Sequence, residues 1–475
     1  MEIEAAATLD LTDPATLATI LGLGEVETSV EVVHDTYLDT DDWFLFRAGL
    51  ACRVRHAGGA ARLLVATLAP MREGPAHHQA WLEDLPPDAP ENGPLPGERV
   101  ARWLAPCLGG RVLRVRLHVE HTRHTFVGVD ASGARVQVYR GDDAVPVAPS
   151  DHLGQSLRAA LEQGTEAPPS PPVPAGPFAR DERVRAVARA IIGAQSAALR
   201  FNEPGARIGL DAEYLHDMRV AVRRTLAALD TFRAAMPGPA RKRLRAATRT
   251  LLAHLGAVRD IDVTVAGLAT SAAAAGVDEH RRAPLRAELH GRRDAARSAL
   301  LDHLDSAAQA ETLAAYTDAL ACLDVPEVQP NTLQDLAGQQ VAARLDAVLQ
   351  AGRPLGRRSP AADFHALRKL CKRLRYTAEF VRDVAPEALG GLVDHLKLLQ
   401  DLLGAHQDAT VGHDLVGRIA RRDTVRGSAV PALRRAYRKA AAEQRAAFKA
   451  CFAQLDDPAW HAELAAALGS PGSPE

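Results

Sequence analysis

Two stretches of the chain set a histidine at the head of a ladder of cationic side chains: HDMRVAVRR, opening at His216, and HALRKLCKR, opening at His365. A helix turns by about 100° per residue, so offsets of 0, 3, 4, 7, 8 and 11 share one arc of its surface. In the second stretch these offsets hold His365, Arg368, Lys369, Lys372, Arg373 and Tyr376; in the first, His216, Arg219, Arg223 and Arg224 occupy matching places. The opposite sides are apolar, with Leu367, Leu370, Cys371 and Leu374 in one and Met218, Ala221 and Val222 in the other. Those sides are expected in a core, which leaves the cations outside it. No acidic residue lies between His365 and Tyr376, so pairing along the helix is not the use of these charges. Crowding them costs a few tenths of a kcal/mol per neighbouring pair, and an anionic ligand reverses that sign. Arginine offers a fork and lysine a movable point charge to phosphate oxygens, and histidine adds a donor as the pH falls towards ~6.5. Two plainer uses stay open: solvated helix faces, or ion pairs with Asp260, Asp262, Asp401 and Asp408 on neighbouring helices.

Other chemistry is less well supplied. In HVEHTRH, His118 and His124 share a strand face with Glu120 while His121 points away, a poor metal cage. No GxxxxGK[ST], GxSxG or HExxH is present, so P-loop, serine-hydrolase and zincin chemistry lack support. Tyr376 is the main aromatic residue among the basic positions, which gives single-stranded nucleic acid little to stack on.

The elements that must position these residues are of two kinds. GTEAPPSPPVPAGPF, residues 164–178, is too rich in proline for helix or strand and reads as a stiff linker. Before it, over residues 1–163, TYLDT, LACRVRH, ARLLVATL, RVLRVRLHVEHTRHTFVGV and ARVQVYR are short alternating or β-branched runs, which predict an antiparallel β domain with a few helices. After it, over 179–468, Ala, Leu and Arg recur at helical spacing, broken by PGP, VPEVQPN and AGRPLGRRSP. The fold class is therefore α+β, multidomain. An internal repeat runs through the helical part. The basic stretches lie 149 residues apart, and LGAVRDIDV precedes LGAHQDATV so that Gly256 and Asp260 fall 148 before Gly404 and Asp408. A one-residue change of offset is what a duplicated unit with an altered loop shows, with copies over about 180–325 and 332–468.

Composition agrees with a soluble, helix-rich chain: 475 residues, 47% hydrophobic, 24% charged and only 4% aromatic. The net charge of −2 says little, because the charges are clustered by segment. Five cysteines without a CxxC pair fit a reducing cytoplasm, and neither an export signal nor an apolar run long enough for a membrane is expected.

The paired motifs, together with RYTAEF after the second basic stretch, resemble the CHAD family, the conserved-histidine α-helical domain. That resemblance implies two related four-helix bundles around a basic channel for inorganic polyphosphate, and an association with polyphosphate granules. By position it implies phosphate contacts from His216, Arg219, Arg223, Arg224, His365, Arg368, Lys369, Lys372 and Arg373, with Arg259 and Lys397 as additions. Gln407 stands where the first copy has Arg259, so the halves need not bind alike. EIE at 2–4, YLDTDDWFLFRAGLACRVR at 37–55 and HTRHTF at 121–126 resemble a CYTH domain, a triphosphate tunnel of eight antiparallel strands. That family carries ExExK, but Ala6 stands at the lysine position, Leu68 replaces a second lysine, and Tyr139 and Arg140 stand where a carboxylate is expected; Arg53, Arg55 and Arg123 are retained. The departures point away from triphosphate hydrolysis and from a bound cofactor. Mg²⁺ or Mn²⁺ would be needed only by an active tunnel, for which the resemblance makes Glu2 and Glu4 weak metal candidates, with an ordinary first strand as the plainer reading. The alternatives carried forward are a metal-dependent triphosphatase or polyphosphatase in the N-terminal domain and a nucleic-acid binder using the same basic faces.

Overall fold

The computed structural model describes residues 2–4, 24, 26–68, 80–87, 98–129, 135–142, 169–324, 332–421 and 429–469. They divide into two compact units, one of Met1–Pro171 with Arg200–Asp217, the other of Pro172–Leu199 with Met218–Glu475.

The first unit is built on one mainly antiparallel sheet. Its strands are β1 (Glu2–Glu4), β2 (Glu27–Asp39), β3 (Leu50–Ala57), β4 (Ala60–Thr67), β5 (Ala80–Leu85), β6 (Arg114–Val129) and β7 (Arg135–Asp142), in the order β1-β7-β6-β2-β3-β4-β5. Long β2 and β6 form its spine, paired from Glu27 opposite Val127 to Asp39 opposite Arg114, and β1 joins β7 in parallel. Among the described residues no pairing connects the outer strands β1 and β5, so these strands do not close the expected tunnel. Short helix α1 (Phe44–Arg47) is capped by Asp39, whose carboxylate accepts from the N–H groups of Thr40, Leu45 and Phe46. Helix α2 (Glu98–Leu108) lays Val100 and Leu104 on a core with Phe44, Leu50, Val54, Leu63 and Val65. Ile208 completes that core, so 200–217, expected in the second domain, clusters with the first.

The helices that follow are α3 (Val184–Ile208), α4 (Ala212–Thr231), α5 (Gly238–Ala274), α6 (Glu279–Leu304), α7 (Ala307–Leu323), α8 (Leu333–Gly352), α9 (Ala361–Phe380), α10 (Pro386–Arg421), α11 (Ala429–Leu455) and α12 (Pro458–Ala467). The duplication is visible in their order. Helices α4 and α9 start and stop 149 residues apart, and each is followed by a 3₁₀ turn at the same offset, Arg233–Ala235 and Arg382–Val384. Each copy thus has four longer helices and a short fifth. Start signals lie where the sequence places them: Pro237 and Pro360 precede α5 and α9, and Thr332 with Asp335 forms a capping box on α8.

Among the described residues, two of the contacts between the halves matter most here. Between α4 and α9 the hydroxyls of Thr231 and Thr377 are 3.0 Å apart in a buried setting, beside the rings of Phe232 and Phe380. Further along, Leu268, Ala272, Leu285 and Leu289 of one half share an apolar cluster with Val416, Leu433 and Tyr437 of the other. No helix among the described residues is long and apolar enough to cross a membrane.

Close helix packing makes one glycine necessary. A Cβ at Gly352 would lie 2.1 Å from the ring of buried Phe452. Gly352→Ala should lower stability by about 1–3 kcal/mol, the usual cost of overpacking. Urea unfolding followed by circular dichroism checks this through a lower midpoint with an unchanged slope.

Candidate anion-binding site

The two basic helices present the faces that their periodicity predicts. Met218, Ala221 and Val222 on α4, and Leu367, Cys371 and Leu374 on α9, are buried, which turns the cations between them out of the core. Tyr376 departs from the arc. It is 5% exposed, lies against Phe380, and has the guanidinium groups of Arg224 and Arg375 over its ring.

Within the second unit, charged groups from both copies act on one another. Lys372 feels Arg223 and Arg219 from α4 as well as Arg368 and Arg375 from its own helix, and Arg368 feels Arg223 in turn. The α4 and α9 faces therefore share one cationic cluster. Its members are half-buried rather than fully solvated, apart from exposed Lys369 and Arg373 on the outer side. Among the described residues, Arg223, Arg368, Lys369 and Lys372 have no side-chain hydrogen bond or ion pair, and neither has the side chain of Arg373. Arg219 and Arg368 sit at equivalent places in the two copies, and each keeps a buried Nε–H without an acceptor.

The LG motif explains how these two arginines fit. A Cβ at Gly404 would stand 3.3 Å from Arg368 Nη2, and one at Gly256 would stand 3.9 Å from Arg219 Nη2. Each glycine leaves a flat place on α10 or α5 where the guanidinium lies.

Carboxylates also reach the cluster, as the ion-pair reading of Asp260 and Asp408 allowed. Asp260 takes Arg219 in a 2.9 Å ion pair. Asp408, its counterpart in the second copy, steadies the charges of Arg368 and Lys372 without an ion-pair contact. The two carboxylates do not match the four cations Arg219, Arg223, Arg368 and Lys372, so positive charge remains in surplus. Burial and mutual repulsion make that surplus costly. Burial first, then Arg223, holds Arg219 below its ordinary value, and burial dominates again for Arg368. The Lys372 amine is pushed down to about 7 by burial and then by Arg223, Arg368, Arg219 and Arg375. His365 is also lowered, by burial first and Lys369 next, while its hydrogen bond with Gln407 acts the other way. It therefore gains charge only at a lower pH than a free imidazole, later than the sequence suggests.

Other predicted residues sit elsewhere or are already engaged. Arg224 is ion-paired with Glu379, which also holds Arg375 at 2.8 Å, so it ties the two halves together. Lys397 pairs at 2.9 Å with Asp394 on an exposed stretch of α10. Arg259 is half-buried on α5 beside Asp260 and acts on Arg219. His216 belongs to the first unit, where Glu213 and Asp217 place possible metal-ligating atoms within 4.8 Å of it. Asp262 pairs with Arg293 rather than with the cluster. Glu379 had no role in the sequence reading, although RYTAEF places it one turn after Arg375.

In the first unit Asp35 accepts from Arg53 at 3.2 Å and from Arg55 at 2.8 Å, and Glu31 pairs with Arg123 at 2.5 Å. His118 reaches Thr36 at 3.2 Å; the His121 side chain lies outside the described residues, and no metal-ligand group forms around His118 and His124 among those described. Glu2 and Glu4 are described only as backbone opposite Gln137 and Tyr139, and Ala6 lies outside the described residues.

An all-helical domain built twice, with one cationic face from each copy contributing to a single cluster, is the class that these observations define. The family comparison agrees: residues 190–417 match the family model described as "CHAD domain". Two solved structures are similar. The crystal structure of the CHAD domain from the plant Ricinus communis is 24% identical, with 64% of this chain and 98% of that chain covered and a TM-score of 0.47. PptA from Streptomyces chartreusis is 20% identical, with 59% and 100% covered and a TM-score of 0.43. No curated protein matches the chain.

The depressed amine gives a stability test. Below about pH 7 Lys372 is protonated in both folded and unfolded chains, and the full cost of burying its charge is present. Between that value and the ordinary 10.5 the folded chain sheds a proton that the unfolded chain keeps, so the cost fades as the pH rises. Lys372→Met should raise the melting temperature most at pH 6 and hardly at all near pH 10. Thermal melts across that range check this, and a gain that grows with pH would refute it.

Proposed function

We propose that the helical domain binds inorganic polyphosphate, with the shared cluster of Arg219, Arg223, Arg368 and Lys372 at the centre of the contact and Lys369 and Arg373 extending it outward. The observation that carries this reading is that, among the described residues, Arg223, Arg368 and Lys372 have no ion-pair partner amid a surplus of positive charge. A half-buried cation without a counter-ion is costly in the free protein, and a polyanion supplies the missing partner. A linear phosphate chain offers equivalent oxygens along its length, which suits a cluster assembled from two similar helices. Engaged Arg224 and Lys397 become secondary contacts in this reading. Capture of polyphosphate would direct the protein to polyphosphate deposits in the cell. The tunnel reading of the first unit gains no support from Arg53, Arg55 and Arg123, whose charges are taken up by Asp35 and Glu31.

Titration of the full chain with long-chain polyphosphate tests the proposal. Arg368→Ala combined with Lys372→Ala should weaken binding by about 100-fold or more, since charged contacts contribute about 1.5–3 kcal/mol each. The remaining affinity should depend less steeply on salt, with helix content unchanged. Undiminished affinity in the double variant would overturn the assignment, and equal affinity for single-stranded DNA would favour the nucleic-acid alternative.

A further inference from the structure

One of the differences between the two copies lies inside the cationic cluster. Lys372 stands where the first copy has Arg223, 149 residues earlier. A guanidinium keeps its proton at neutral pH, whereas an amine can release it and become a nucleophile. Everything around Lys372 favours that release. Arg219 and Arg223 face it from α4, Arg368 and Arg375 from α9, and His365 lies on the same face; Asp408 on α10 is the carboxylate that acts on it. Among the described residues nothing hydrogen-bonds the amine, and the side chain is only half-buried, so a small reagent can reach it. The amine is held near pH 7, which leaves a large share of it uncharged in neutral solution. The same arginines attract anions, and Arg219 and Arg368 each hold an Nε–H that lacks an acceptor. A free amine inside a phosphate-seeking ring selects an electrophile that carries a phosphate next to its reactive carbon.

We propose that Lys372 is an acylation site for small acyl phosphates, with Arg219, Arg223 and Arg368 holding the phosphate while the amine attacks the adjoining carbonyl. The proposal rests on the cluster being a phosphate site. The Nζ lone pair adds to the carbonyl carbon, and the bond from that carbon to the bridging oxygen breaks. The oxygen leaves with the bonding electrons as inorganic phosphate. The proton lost from nitrogen passes to that phosphate, leaving an amide on Lys372, with no oxidation or reduction. Acylation abolishes the charge at the centre of the cluster and so weakens its hold on a polyanion.

The test treats the full chain with acetyl phosphate at about pH 7.5 and follows each lysine by peptide mass spectrometry, beside an uncharged acylating ester as a second reagent. With acetyl phosphate, Lys372 should react about tenfold faster than Lys369 or Lys397, and added inorganic phosphate should suppress the difference. Its rate should level off above about pH 7 while theirs keeps rising, and Arg223→Gln should slow it by restoring the amine's proton. Preference for Lys372 with the ester but not with acetyl phosphate would overturn phosphate guidance. Uniform labelling by both reagents would overturn the reactive amine, and polyphosphate titration of the same sample shows separately whether the binding reading survives.

Discussion

Like charges brought together in a half-buried place govern this helical domain. Folding draws Arg219, Arg223, Arg368 and Lys372 out of bulk water and sets them near one another, and among the described residues the carboxylates that act on them, Asp260 and Asp408, are too few to balance them. Such an arrangement persists only because something larger holds it. Here that is the packing of α4 on α9 through Thr231, Thr377, Phe232 and Phe380, with Leu367, Cys371 and Leu374 fully buried behind the cations. The apolar sides of the two helices supply the stability that the polar sides consume. A ligand that neutralises the cluster reverses the balance, which is why the same feature is a liability in the free protein and an asset in a complex.

The two copies have kept the frame and varied the fittings. Glycine on the long helix makes room for a guanidinium in both, at Gly256 for Arg219 and Gly404 for Arg368. The aspartate that follows has diverged in use. Asp260 pairs directly with its arginine, whereas Asp408 acts without an ion pair. Gln407 hydrogen-bonds His365, so the second copy ties its histidine to a neutral side chain where the first has Arg259. The result is a site with different local balances at its two ends.

Much of this was legible in the sequence because a helix writes its exposed and buried faces at a fixed period. That period gave the cationic arcs and the buried Leu367 and Val222, and the proline breaks gave the starts of α5 and α9. Strands β2, β3, β4, β6 and β7 followed from alternation. The period is silent on what meets a face across space. Nothing within HALRKLCKRLRYTAEF says that Glu379 reaches Arg224 of the other copy, or that Tyr376, on the polar arc, turns into the packing beside Phe380. Asp260 and Asp408 stood only as possible partners, since their distance from the basic helices depends on how α5 and α10 run back along the bundle. Strand β5 was missed because AWLEDL is short and carries charges.

The apolar cluster shared by the long helices has a consequence for the ancestry of the domain. Leu268 and Leu289 in one copy are covered by Val416, Leu433 and Tyr437 in the other. One repeat made by itself would show this greasy surface to solvent, and the nearest available cover would be an identical surface on a second molecule. The forerunner of this gene, before it doubled, would then have worked as a pair of chains, and fusing them freed the twins to drift apart.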